Sequence, residues 1–206
     1  MAKVTTEHET QKEETGVHYL FGPVDTGKAQ AVCEHIIKAN VESDVPHIQL
    51  IINSPGGSVD AGFAIIDIME WSRLPVYTTG IGMIASMGLL IFMAGEKGHR
   101  VVTPRTSILS HRFSAWAVGN HSELVAGRKE QDLVHCRIVN HYLQHTNLKT
   151  EADLTRTILR DVDTWLTLEE AVRHGIADIV QPDRKRPYPD VVTRDLARTL
   201  ASEKEG

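Results

Sequence analysis

The sequence predicts an α/β domain built on a mainly parallel sheet, from three observations. Short apolar runs rich in β-branched residues alternate with longer segments of helical spacing. One run, HIQLIIN (His47–Asn53), is apolar almost throughout, as in a strand covered on both faces. The chain has 206 residues, 41% of them apolar, which is enough for one well-buried core. Alternating strands and helices pack as βαβ units with right-handed crossovers.

The elements follow in order. Residues 1–16 are polar and rich in Glu and Thr, and read as a tail or propeptide. VHYLFG (Val17–Gly22) is a strand. Thr26 to about residue 43 has helical spacing, with Ala31, Cys33, Ile36, Ile37 and Val41 toward one side. His47–Asn53 is the buried strand, broken by SPGG. Val59–Trp71 is a helix with Phe63, Ile66, Met69 and Glu70 in its pattern. PVYTTG (Pro75–Gly80) is a strand, a small-residue turn follows, and Ser86–Ala94 is a helix.

Shorter strands fit His99–Thr103 and Ser107–Ser110. A long helix runs from about His121 to His145 and carries Leu124, Leu133, Ile138 and Tyr142. Short helices near Glu151–Leu159 and Leu168–His174 precede a strand at Ala177–Val180. The domain is expected to span residues 17–181. Residues 182–206 form a Pro- and charge-rich extension in which Val191–Leu200 is amphipathic.

Composition excludes several functions. The net charge is −5 with acids and bases interspersed, which offers no footprint for nucleic acid and no basic face for a lipid surface. Two cysteines, Cys33 and Cys136, make no disulfide framework, which fits a reducing, cytoplasmic compartment. The N-terminus lacks the apolar region of a secretory signal, and the Ile81–Ala94 run is too short for a bilayer.

Two motifs tempt and fail. GPVDTGKA (Gly22–Ala29) nearly spells a phosphate-binding loop, but Ala29 stands where a hydroxyl should reach magnesium. The next buried strand ends in Asn53 and offers no acid for the metal. His141 and His145 have the i, i+4 spacing of a metal pair, without an acid between them or an obvious third ligand. They read as histidines on a solvated helix face.

One constellation remains. In GMIASMGLL (Gly82–Leu90) a single hydroxyl, Ser86, sits in an apolar run at a strand-to-helix junction. That is the setting of a nucleophile held near the positive end of a helix dipole. The strict G-x-S-x-G pattern fails at Ile84. NSPGGS (Asn53–Ser58) leaves a buried parallel strand and supplies glycines whose N–H groups can approach an oxyanion. His111 ends the strand SILS and could serve as base. Asp161 and Asp163 precede a short helix, and either type of carboxylate could fix the imidazole tautomer.

INSPGGSVDAGFAIIDIM, GMIASMG, RTSILSH and VDTWLTLEEAVRHGIADIV together resemble the proteolytic subunit family of Clp proteases, ClpP, in family order. The resemblance covers roughly residues 17–180, and the 25-residue step from Ser86 to His111 matches the family without a gap. It implies a ClpP/crotonase-like fold of repeated β-β-α and βαβ units with a protruding handle helix. It implies Ser86 as nucleophile, His111 as base and Asp163 as acid, in the pattern Asp-x-aromatic-Leu-Ser/Thr. Asp161 falls two residues off that motif. The oxyanion donors implied are the N–H groups of Gly57 and Met87. The family needs no cofactor or metal of its own; a hexameric AAA+ unfoldase uses the ATP and feeds unfolded polypeptide into stacked seven-membered rings.

The chain departs from the family in RFSAWAVGNHSE, where Gln-Pro and a glycine-rich strand are usual after the base. It has Val162 where an arginine usually precedes the acid. The stretch between base and acid runs about three residues longer than usual. Three rival readings are a crotonase-type acyl-CoA enzyme, a Ser–Lys membrane-associated peptidase and a non-catalytic ring subunit. Ser86 and His111 at family spacing speak against the first, and an unexplained His and Asp against the second.

Overall fold

The computed structural model describes residues 16–42, 44–115 and 117–181. Seven strands join one sheet: β1 (Val17–Phe21), β2 (Ile48–Ser54), β3 (Val76–Ala85), β4 (Arg100–Val102), β5 (Ser107–Ser110), β6 (Thr164–Leu166) and β7 (Ile179–Val180). Among the described residues six helices connect them: α1 (Thr26–Glu42), α2 (Val59–Trp71), α3 (Met87–Met93), α4 (His121–His145), α5 (Glu151–Thr157) and α6 (Leu168–Arg173). The main path runs β1-β2-β3-β4-β7, all parallel. β5 runs parallel to the far half of β3, and β6 returns antiparallel beside β5. This is the α/β, ClpP/crotonase-like architecture expected of the sequence.

Alternation sets the core. Ile48, Leu50, Ile52 and Ser54 of β2 are buried, while the residues between them are half-covered. α3 is buried along its whole length, sandwiched between the sheet and the other helices. Nothing on that helix needs to face water, so its seven residues hold no charge. α2 opens with Ser58 accepting from the Ala61 N–H, a helix cap.

α4 divides in two. Its start is fixed by a capping box between Asn120 and Glu123. From there to Leu133 its residues are exposed except for partial cover at Gly127 and Gln131, so this half is the protruding handle. From Val134 onward Val134, Ile138, Val139, His141 and Tyr142 are buried against the domain.

At the N-terminal end of the parallel strands, Arg100 is only 2% exposed, yet fully engaged. Its Nε and Nη2 donate to Asp178 at 2.8 and 2.6 Å, and Nη1 donates to the His145 carbonyl at 2.9 Å. Asp178 also accepts from the Gly98 and Arg100 N–H groups. Burial opposes its charge, but the bonds from Arg100 outweigh burial and hold the carboxyl below its ordinary value.

Several expectations are corrected. The buried face of α1 is Ala29, Val32, Ile36, Ala39 and Asn40, whereas Ala31, Ile37 and Val41 are exposed. Glu70 of α2 and Leu124 and Leu133 of α4 are exposed as well. β3 does not stop at Gly80: Gly82 takes φ 62°, Asn53 Oδ1 accepts the Met83 N–H at 3.2 Å, and the strand runs on to Ala85. β6 is a strand where only a helix approach was foreseen. His141 and His145 are not on a solvated face; His141 is 5% exposed and donates from Nε2 to the Leu90 carbonyl at 2.8 Å. The foreseen segment Val191–Leu200 lies outside the described residues.

GPVDTGKA forms an ordinary strand-to-helix turn. Asp25 caps it, accepting from the Lys28 N–H at 2.9 Å and its ammonium at 3.1 Å, so the lysine is engaged locally. Among the described residues no group of three or more His, Cys, Asp or Glu side chains could hold a metal ion. Likewise, no described helix is long and apolar enough to cross a membrane.

Candidate active site

β2, β3 and β5 end close together, and the segments that follow them meet at their C-terminal ends, the usual place for a site in such a sheet. The loop after β2 is drawn in close. The Ser54 hydroxyl accepts the Gly56 N–H at 3.1 Å, and Gly56 and Gly57 take φ of 91° and 153°. A Cβ on Gly56 would lie 2.5 Å from the Ser86 Cβ and 3.0 Å from the Met87 nitrogen. Gly56 is therefore the residue that lets this loop lie against the serine. The family resemblance implies a donor role for Gly57 and none for Gly56, whose signal in the sequence is the doubled glycine of NSPGGS.

Gly57 is held by β1's continuation. Val24 donates to the Gly56 carbonyl at 2.8 Å and accepts from the Ser58 N–H at 2.9 Å. In such a parallel bridge the middle residue's own N–H points away from the pairing, leaving that of Gly57 available for a ligand. The N–H of Met87 is the first of α3 and lies beside Gly56. Helix N-terminal donors of this kind lack an intrahelical partner.

Ser86 joins β3 to α3 directly. Its N–H donates to the Leu109 carbonyl of β5 at 3.1 Å, and its carbonyl accepts from the Leu89 and Leu90 N–H groups. Its φ is 53°, the one positive value outside glycine among the described residues. Its side chain caps nothing and is half-exposed, so the hydroxyl is free for other work. Gly88 completes the packing, since a Cβ there would lie 2.9 Å from the Ser54 carbonyl.

His111 and Asp163 are placed by register. β5 and β6 pair Ile108 with Leu166, Leu109 with Trp165 and Ser110 with Thr164. Carried one residue further, the register sets His111 opposite Asp163, where side chains on facing positions are neighbours. The β3–β5 register sets Ala85 beside Leu109, which brings the Ser86 junction to the same strand end. His111 is half-buried and Asp163 exposed. Among the described residues no hydrogen bond links the side chains of Ser86, His111 and Asp163. Asp161 is engaged elsewhere, in an exposed ion pair with Arg112 at 3.1 Å. RFSAWAVGNHSE forms no strand over its described residues, in keeping with its departure from the family pattern.

Residues 9–184 match the Clp protease family. The chain belongs to that family. Over 164 residues it is 36% identical to the ATP-dependent Clp protease proteolytic subunit of Deinococcus radiodurans, covering 79% of this chain and 78% of that protein. Clp proteases are hydrolases, serine-type endopeptidases of protein degradation. Members of the family typically form oligomeric rings and work with AAA+ unfoldases.

Proposed function

We propose that this chain is the proteolytic subunit of an ATP-dependent Clp-type protease and that Ser86, His111 and Asp163 are its catalytic triad. The observation that carries the reading is the convergence of the Ser86 junction, the His111–Asp163 register and the Gly56–Gly57 loop at one end of the sheet. In unliganded sites the catalytic hydrogen bonds are often long and close only around substrate, so the placement is the relevant evidence.

His111 takes the proton of Ser86 as the hydroxyl attacks a peptide carbonyl. Asp163 holds the imidazole in its productive tautomer and stabilises the imidazolium. The N–H groups of Gly57 and Met87 receive the oxyanion, each worth about 3 kcal/mol in sites of this kind. His111 then gives its proton to the leaving amine, and water resolves the acyl-enzyme by the same route. Substrate is unfolded polypeptide lying as an added strand beside Gly57–Val59. The chain works as a homo-oligomer, in stacked seven-membered rings, with a partner AAA+ ATPase in the cytoplasm. It needs no cofactor. Residues 17–181 are the peptidase domain in this reading, and 1–16 and 182–206 its extensions.

A fluorophosphonate probe tests this on the assembled protein, its size checked by light scattering. Labelling of the wild type that vanishes in Ser86→Ala and His111→Ala is the expected result. A fully assembled wild type that takes no label overturns it and leaves the non-catalytic ring subunit as the better account.

A further inference from the structure

Two neighbouring residues of α4 reach two different parts of the candidate site. Tyr142 is fully buried, and its hydroxyl lies 2.7 Å from the Ser110 hydroxyl, itself fully buried. Ser110 is the residue before His111 and the last of β5. His141 donates to the Leu90 carbonyl at 2.8 Å, and the Leu90 N–H in turn donates to the Ser86 carbonyl at 3.2 Å. Adjacent helical residues point about 100° apart, so one turn of α4 can grip two elements at once.

We infer that the buried end of α4 sets the spacing between nucleophile and base, with Tyr142 positioning His111 through Ser110, and His141 positioning Ser86 through α3. The inference rests on the triad proposed above. Both are positioning residues, since neither touches the reacting atoms.

The physical case is one of direction. An apolar residue could fill either volume, but apolar packing tolerates small slides, whereas a buried hydrogen bond fixes an atom along a line. Burying the polar groups of Tyr142, Ser110 and His141 would be costly if they were unpaired, and here they pair across elements; the Leu90 carbonyl, which also accepts from the Ala94 N–H, takes His141 as a second donor. α3 has only seven residues, too few to hold its shape alone, so external contacts fix where its first turn lies. The Leu90 carbonyl can only accept, which puts the proton of His141 on Nε2. Burial drives the His141 pKa down to about 3, so this donor stays neutral and in place through any working pH. Burial also pushes the Tyr142 hydroxyl up to about 12, keeping it protonated beside Ser110.

The test compares Tyr142→Phe, Ser110→Ala and their double variant, each as an assembled oligomer. The readouts are fluorophosphonate labelling rate, kcat and KM on a short fluorogenic peptide, and thermal unfolding. A misplacement of up to about 1 Å at the reacting atoms costs roughly ten- to a hundredfold in kcat. Each single variant should lose that much in kcat and labelling rate with KM unchanged. The double should lose no more than the worse single, while recovering thermal stability because no hydroxyl is left orphaned. For His141, Phe should slow labelling and Gln, which keeps a donor, should restore part of the rate. Folded variants that label at the wild-type rate would overturn the inference, as would kcat losses that recover with stability in the double. A wild type that does not label would instead fail the triad itself, so the two failures are distinguishable.

Discussion

The two ends of the sheet treat polar groups in opposite ways. At the N-terminal end Arg100 and Asp178 satisfy each other and the surrounding carbonyl and N–H groups. At the C-terminal end Ser86 caps nothing, the Gly57 N–H points out of its bridge, and Gly56 lets a loop lie against the serine. The first end spends its polar groups on cohesion. The second keeps them uncommitted, as a site that must receive a substrate requires. Substitutions at the two ends should accordingly separate stability from activity.

The largest effect is expected at the uncommitted end. Ser86→Ala should lower kcat on a peptide substrate by a factor of about 10⁴ or more, with the denaturant midpoint no lower than wild type. Retention of even a hundredth of the activity would break the contrast. Arg100→Ala reverses the pattern. It leaves the half-buried Asp178 carboxylate with only the N–H groups of residues 98 and 100 and should cost about 3 kcal/mol in denaturant unfolding. Protein that stays folded should still label at the wild-type rate, and slower labelling would mean that the two ends are coupled.

Acid sharpens the comparison from a third direction. His141 must stay neutral to remain in its place, so the unfolded chain binds more protons than the folded one below about pH 6.5. Its contribution to stability is therefore present at neutral pH and lost as pH falls toward about 3. At pH 5 the loss from this residue alone is about 2 kcal/mol. His145, lowered by burial and by Arg100, acts with the same sign. Denaturant melts of wild type and His141→Phe across pH 7.5 to about 5 check this: the variant's stability should fall less. The smallest effect is at the rim. Arg112 and Asp161 pair in the open, and Arg112→Ala should change stability by about 0.5 kcal/mol or less, weakening further with salt.

Much of this was readable in the sequence because the signals were local. HIQLIIN announced a strand, although only alternate residues of it are fully buried, and NSPGGS and ASMG carried the glycines and hydroxyl of the proposed site. What escaped depended on partners distant in the chain. α1 holds two apolar stripes, and only the tertiary fold selects the one with Val32 and Ala39. Asn40 joins it because Ile36, Ser72 and Arg73 satisfy its amide. β3 continued past two glycines because Asn53, from another strand, supports the bulge. His141 has the sequence context of a surface histidine, and its burial depends on a distant acceptor, the Leu90 carbonyl of α3. Asp163 could be told from Asp161 by motif, and the β5–β6 register supplies an independent reason for the same choice.

The dihedral of Ser86 has a thermodynamic consequence. A residue with a Cβ held at φ 53° and ψ −125° sits well above its own conformational minimum, by about 1–3 kcal/mol. Glycine would not feel that penalty. Ser86→Gly should therefore unfold at a higher denaturant concentration than the wild type while losing its reactivity. Among the described residues the one non-glycine residue at positive φ is also the proposed nucleophile, and a search for greater stability would begin by erasing the proposed chemistry.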